Sequence, residues 1–377
     1  MLDESLLDAP DALARADRRG LLRGAAEAGA RVRTAARLAD EAGIGALKPE
    51  GRPRAVLVAG PGTAATGVAD VVAALTGGVA PVTRIHPTGV AAAAGALRWE
   101  LPGWAGSVDL LLIATTDGSE PGLSLLAEQA YRRGCTVVAV APRRSPLTEG
   151  ISGSQGLVVP MAAAPHAGER EEDPAASPGS LWALLVPVLA LLDRVGLVSA
   201  PPEALEKVAD RLDHTAERCG PAVTTYSNPA KTLASELAES LPLIWTEGTL
   251  ADPVGRRFAA VLAELSGHAA LAAQLPEALP AHTALLAGTS SAGGDPDDFF
   301  RDRVDDPGPP RARVVLLRDR PAGGLTAAPA ARELALGHDI AVSELEPEEG
   351  TELEALAELV ALTDFAAVYL ALASGGD

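Results

Sequence analysis

Aromatic residues make up only 3% of the 377-residue chain, which excludes a core of interlocking rings and leaves Ala, Val and Leu to fill the interior. Cysteine is scarcer still. Two of them, Cys135 and Cys219, lie far apart in sequence, which excludes a disulfide framework and a cysteine metal site. Cys135 opens the apolar run Cys135-Thr-Val-Val-Ala-Val-Ala141, where a small thiol packs as an ordinary core group. The six histidines are scattered without ligand spacing, so no metal and no cofactor is expected. Lys and Arg number 31 against 50 Asp and Glu, a net charge of −19. Phosphate backbones reward basic surfaces, so neither nucleic acid nor an anionic membrane is an expected partner. The start, Met1-Leu-Asp-Glu-Ser, lacks the basic and apolar order of a signal peptide. No apolar run is read as approaching the roughly 20 residues that span a bilayer. The expected location is the cytoplasm.

Hydrophobic residues are nonetheless plentiful at 47%, and the chain is long enough for two cores. Residues 1 to about 50 read as helix, from apolar spacings of three and four, and are expected to pack on a first domain. Strand–helix alternation follows, with strands at 55–59, 81–85, 108–114, 135–141 and 157–161. A linker-like stretch covers about 162–179, and a strongly apolar helix at 181–197 reads as buried between domains. Helices at 202–218 and 229–240 come next. A second series places strands at 241–245, 283–287, 314–318 and 340–345, with helices at 253–267, 326–337 and 352–373. The Gly-, Pro- and Asp-rich stretch 288–310 reads as an exposed loop. Within it, 295–306 reads as a short helix anchored by Phe299 and Phe300. The expected divisions are an extension at 1–50, a first domain at 51–198 and a second at 199–377.

In open parallel sheets, ligands bind beyond the carboxyl ends of the strands. Gly60-Pro-Gly-Thr-Ala-Ala-Thr-Gly67 follows the first strand and opens a helix. Its small residues let a ligand approach backbone N–H groups, and the helix start favours an anion. The glycine spacing is neither the dinucleotide fingerprint nor a Walker loop. A plain tight turn fits the same residues. Ala114-Thr-Thr-Asp-Gly-Ser-Glu-Pro-Gly122 is a second such turn, with hydroxyls suited to a sugar or a phosphate. It also fits a helix cap made by Ser119, with Glu120 and Pro121 in the first turn.

Together the two turns resemble the sugar isomerase (SIS) domain, and specifically the bifunctional phosphoglucose/phosphomannose isomerase family. The most specific similarity is Asn228-Pro-Ala-Lys-Thr-Leu-Ala-Ser-Glu-Leu-Ala-Glu-Ser-Leu-Pro-Leu-Ile244, supported by Asp364-Phe-Ala-Ala-Val-Tyr-Leu-Ala-Leu-Ala373. The resemblance implies an α/β fold of two SIS-like (flavodoxin-like) domains, each a parallel sheet flanked by helices, with a helical N-terminal extension. It implies a homodimer that binds a sugar phosphate and interconverts glucose or mannose 6-phosphate with fructose 6-phosphate. Such chemistry moves a proton between C1 and C2, so it needs a carboxylate base, a ring-opening acid and a phosphate clamp. By resemblance the base falls on Glu264 and the acid on His282, with His268 a weaker match. Substrate would be held by Gly62, Thr63, Thr115, Thr116, Gly118 and Ser119. A solvated helix position for Glu264 and a surface position for His282 fit the sequence as well.

The working positions depart from the family pattern. In the phosphate loop a serine is replaced by Asp117 and a threonine by Glu120, and the first turn reads Thr63-Ala64. A phosphate dianion about 5 Å from a carboxylate meets roughly 6 kcal/mol of raw repulsion at an effective dielectric near 20. The family's Pro-Gly-x-x-Pro-Arg segment reads Pro178-Gly-Ser-Leu-Trp-Ala183, without the arginine, and no lysine lies beyond Lys231. The expectation is weak or lost isomerase activity. The alternative is a non-catalytic regulator or partner subunit that binds a sugar or nucleotide sugar.

Overall fold

The computed structural model describes residues 2–49, 51–89, 97–153, 156–162, 178–291, 311–319 and 325–375. In chain order the elements begin with helices α1 (Glu4–Leu7), α2 (Pro10–Ala16), α3 (Leu21–Ala26) and α4 (Ala28–Glu41). Then come β1 (Val56–Ala59), α5 (Gly62–Leu75), β2 (Val82–Arg84), β3 (Leu110–Ala114), α6 (Pro121–Arg132), β4 (Thr136–Ala141), α7 (Pro146–Ser152) and β5 (Leu157–Pro160). Helices α8 (Ser180–Arg194), α9 (Pro202–Arg218) and α10 (Pro229–Leu237) lead to β6 (Ser240–Glu247), α11 (Ala251–Ser266), β7 (Leu271–Gln274) and α12 (Ala278–Ser291). The chain continues through β8 (Arg311–Arg318), α13 (Ala328–Leu336), β9 (Val342–Leu345) and α14 (Glu352–Ala373).

Two compact units result, one of residues 19–214 and one of residues 1–18 with 215–377. In the first, a wholly parallel sheet runs in the order β2-β1-β3-β4-β5. Strands β1 and β3 are buried along their whole length, as continuous apolar runs must be when helices cover both faces. One face (Leu57, Leu111, Ile113, Val137) packs on Leu123 and Leu126 of α6 and Leu147 and Ile151 of α7. Helix α8 packs on α4 and α5 of its own unit and on β4. The stretch 163–177 lies outside the described residues.

The second unit holds a parallel sheet in the order β7-β6-β8-β9. Trp245, Val314 and Leu316 line one face against Leu286 of α12 and Ala331 of α13. The sequence puts a strand at 283–287, but those residues are helical and belong to α12. Ala278, His282 and Leu286, spaced four apart, are all buried, which is the period of a helix face. The strand that pairs with β6 on that side is β7, only four residues long and partly exposed. Residues 288–291 also continue α12, whereas 292–310, with Phe299 and Phe300, lie outside the described residues.

The N-terminal helices divide between the units. Leu7 and Leu13 of α1 and α2 are fully buried in the second unit, where Asp3 N donates to Ala373 O at 2.8 Å and Thr225 N to Asp8 Oδ1 at 2.7 Å. Helix α14 corrects a second expectation. It is the one helix among the described residues long and apolar enough to cross a membrane, and that apolar window is entirely buried inside the protein. It packs against α10 and α11, and tight contact on both sides is what its all-round apolar surface serves.

Candidate functional site

In the first sheet, strand order reverses between β1 and β3, the kind of switch point beyond whose carboxyl ends open parallel sheets bind ligands. The two turns singled out in the sequence both lie there. Gly60 leaves β1 against β3 so closely that an added Cβ would lie 1.9 Å from Ala114 O. Gly62 opens α5 with φ of +83°, a left-handed conformation that suits glycine. No side chain caps α5, because its N-cap residue is Pro61. Gly62 and Thr63 thus open α5 just beyond the point where β1 approaches β3, and the first turn of α5 has no side-chain acceptor.

The β3–α6 turn is closed in on itself. Thr115 is 1% exposed, and its Oγ1 accepts from Asp117 N at 3.3 Å and Gly118 N at 3.1 Å. Gly118 has φ of +71° and sits against Ser145, which would be 2.5 Å from an added Cβ. Its carbonyl accepts from Leu147 N at 3.3 Å. The exposed Ser119 hydroxyl donates to the Asp117 carboxylate. Glu120, not Ser119, caps α6, since its Oε1 accepts from Gly122 N at 3.2 Å and Pro121 supplies no N–H. A carboxylate therefore occupies the start of α6, the position at which a helix would receive an anion. Thr116 is half-buried beside it.

The second sheet reverses order between β6 and β8, and here charged groups converge that the sequence reading passed over. Glu247, 7% exposed, accepts from Arg318 Nε at 2.9 Å and Thr326 Oγ1 at 2.7 Å, and from Ala327 N. Burial opposes its ionisation, but these donors hold the carboxyl below its ordinary range. Arg318 also pairs with Glu346. Asp319 accepts from Leu250 N and Ala251 N at the start of α11, so this helix too is capped by a carboxylate. The signal in the sequence was a charged residue ending each apolar run: Glu247 after 243–246 and Arg318-Asp319 after 314–317.

Burial raises the Asp319 carboxyl above 3.8 despite its two N–H donors, and nearby Glu247 pushes the same way. A pKa raised in the folded state gives stability that is full below about pH 4 and is lost as pH climbs through the folded value. Asp319→Asn keeps an acceptor and removes the titration. Its melting temperature relative to the unaltered chain is expected to rise as pH increases above about 4. A gap that stays constant or narrows above that pH would contradict the assignment.

Glu264 lies near the end of α11, exposed to solvent. Because α11 runs back from the carboxyl end of β6, this places Glu264 toward the opposite edge of its own sheet from Glu247 and Asp319. His282 is only 8% exposed, not a surface residue, and its Nδ1 accepts from the buried Trp245 Nε1 at 2.9 Å. Burial lowers its pKa, so it is neutral and carries its proton on Nε2. His268 Nε2 lies 2.8 Å from Ser240 O. Among the described residues, no group of three or more His, Cys, Asp or Glu is placed to hold a metal ion.

Residues 226–377 match the bacterial phospho-glucose isomerase C-terminal SIS domain. Three solved structures share the fold over nearly the full length. A candidate phosphosugar isomerase from Clostridium difficile 630 is 12% identical with a TM-score of 0.62, covering 93% of this chain and 91% of that one. The C-terminal domain of glucosamine-fructose-6-phosphate aminotransferase from Francisella tularensis is 12% identical with a TM-score of 0.57, over 96% and 97%. A candidate phosphosugar isomerase from Silicibacter pomeroyi DSS-3 is 19% identical with a TM-score of 0.53, over 97% and 96%. No curated protein sequence matches the chain.

Within the matched residues, the segment of strongest sequence similarity serves the fold. Asn228 is fully buried and caps α10 by accepting from Ala230 N at 3.1 Å and Lys231 N at 3.0 Å, while its Nδ2 donates to Gly220 O. Lys231 is fully buried too. Its Nζ donates to Pro221 O at 2.8 Å and Val223 O at 2.6 Å and lies over the ring of Tyr369. Desolvation lowers its pKa, with Asp8 pulling the other way. Tyr369 Oη closes the arrangement by donating to Cys219 O at 2.7 Å. The motif ties residues 219–228 to α14.

Proposed function

We propose that this protein is a phosphosugar isomerase-like SIS protein that binds a carbohydrate derivative at the β1/β3 switch point. Its conversion of glucose or mannose 6-phosphate to fructose 6-phosphate is weak or absent. The observation that carries the reading is the Glu120 carboxylate on the start of α6, where the resembled family has a threonine in its phosphate loop. Asp117 adds a second negative charge on the same turn. Gly62, Thr63, Thr115, Thr116, Gly118 and Ser119 are the residues proposed to face the ligand. The turn before α5 keeps the small residues and open backbone that a hydroxylated molecule needs. A cytoplasmic homodimer belongs to the same reading.

Aldose–ketose interconversion would fall to Glu264 as base and His282 as ring-opening acid, the latter through its Nε2 proton. The exposed carboxylate of Glu264 lacks the enclosure that makes such a base effective, and the ring of His282 is committed to Trp245. With purified protein and mannose 6-phosphate, NMR is expected to show no fructose 6-phosphate or glucose 6-phosphate beyond a mock preparation. Turnover that disappears in Glu264→Gln, with the fold intact, would overturn the reading in favour of an active isomerase.

A further inference from the structure

A cleft of the first unit lies not at the switch point but at the opposite edge of the same sheet. A cleft of about 780 Å³ reaches the first residues of β3, β4 and β5, namely Leu110, Thr136 and Leu157. Its size falls in the range of small-molecule sites, roughly 300–1,000 Å³. Leu47, Val108, Leu157 and Val195 give it apolar walls, and Val108 is 57% exposed. Apolar surface left open on a water-facing edge carries a free-energy cost that a ligand would relieve.

The charges on its rim are as informative. Lys48 and Arg52 both line the cleft, both are exposed, and neither has a carboxylate partner among the described residues. The Arg52 guanidinium lies beside Gly196, just past α8, where an added Cβ would be 3.4 Å from Nε. Asp109 also borders the cleft, but its carboxylate is spoken for. It accepts from Arg54 Nε at 3.0 Å, Arg54 Nη2 at 2.7 Å and Gly106 N at 2.8 Å. Tyr131 contributes a hydroxyl without a partner among the described residues.

We propose that this amino-edge cleft is a second binding site, for a small amphipathic anion whose apolar body enters between Val108, Leu157 and Val195 and whose acidic group meets Lys48 and Arg52. It is separated from the β1/β3 switch point by the length of the strands, and it stands whether or not a sugar binds there. An apolar wall with cations on its rim selects molecules that are apolar over most of their length and charged at one end.

Two fluorescent probes of matched bulk test this on the full chain. 8-Anilinonaphthalene-1-sulfonate carries one anionic group, and N-phenyl-1-naphthylamine carries none. The sulfonate is expected to saturate a single site and to bind at least about tenfold more tightly than the neutral probe. Lys48→Ala with Arg52→Ala is expected to weaken the sulfonate about tenfold or more while leaving the neutral probe unchanged. Val108→Asp, at an exposed position that the fold does not need, is expected to weaken both. Equal affinity of the two probes, an unchanged affinity in the double variant, or no saturable binding of the sulfonate would each overturn the proposal. Far-UV circular dichroism of each variant excludes misfolding as the cause.

Discussion

Replacing Asp117 by serine and Glu120 by threonine is expected to tighten binding of inorganic phosphate, and of mannose 6-phosphate, by roughly ten- to hundredfold. The reason lies in the β3–α6 turn. As the chain stands, Glu120 accepts from Gly122 N and fills the position that an anion would take at the start of α6. Asp117 adds repulsion from an exposed position on the same turn. Threonine at 120 is still a capable helix cap, so the double variant keeps α6 while withdrawing two negative charges. Exposure and salt reduce the effect well below the raw Coulomb energy, which is why a hundredfold is the upper expectation. Calorimetric or ³¹P NMR titration measures it. Equal phosphate affinity in the variant and the unaltered chain would mean that these carboxylates do not govern the turn.

Arg257→Met is expected to lower the unfolding free energy by about 3–5 kcal/mol, the cost of leaving one member of a buried ion pair alone. Arg257 on α11 is 8% exposed and Asp364 on α14 is 3% exposed. They form a two-pronged pair, with Nη2 to Oδ2 at 3.1 Å and Nη1 to Oδ1. The pair is incomplete, since Arg257 Nε is buried without a partner. That missing bond reduces what the pair contributes beyond its own desolvation. Arg257→Met combined with Asp364→Leu should therefore recover most of the loss, because apolar groups of similar volume need no partner. Denaturant unfolding of both variants decides it. A double variant as unstable as the single one would show that the pair contributes more than apolar packing could.

Much of the fold was legible in the sequence, for reasons that differ from element to element. Strands β1 and β3, and β4 after its first residue Thr136, are unbroken runs of Val, Leu, Ile and Ala, and such runs bounded by turns have few other homes. Helix α14 was marked at its start by Thr351, whose side chain and that of Glu354 form a capping box. The edge strand β7 was missed because Leu271-Ala-Ala-Gln274 has neither β-branched residues nor alternation. Residues 283–287 were misread because a short apolar run suits a buried strand or a buried helix equally well until its neighbours are counted. At the site, the positions of both turns could be read from their glycines. Which carboxylate would take the helix N–H groups could not, because Ser119 and Glu120 are both able to cap and only the backbone path selects between them. Asp319 was out of reach for the same reason, since it caps a helix that begins about 70 residues earlier in the chain.

The division of the N-terminal helices has a consequence for how the molecule is made. Residues 19–214 form a compact unit that is contiguous in the chain, so it can be completed while synthesis is still under way. The other unit needs residues 1–18 together with 215–377. Leu7 and Leu13, both fully buried at the end, therefore emerge from the ribosome before the whole of the intervening unit and must wait through its synthesis. With roughly 5–20 residues added per second, that wait lasts on the order of ten seconds or more. Until then their apolar side chains have no core of their own unit to enter.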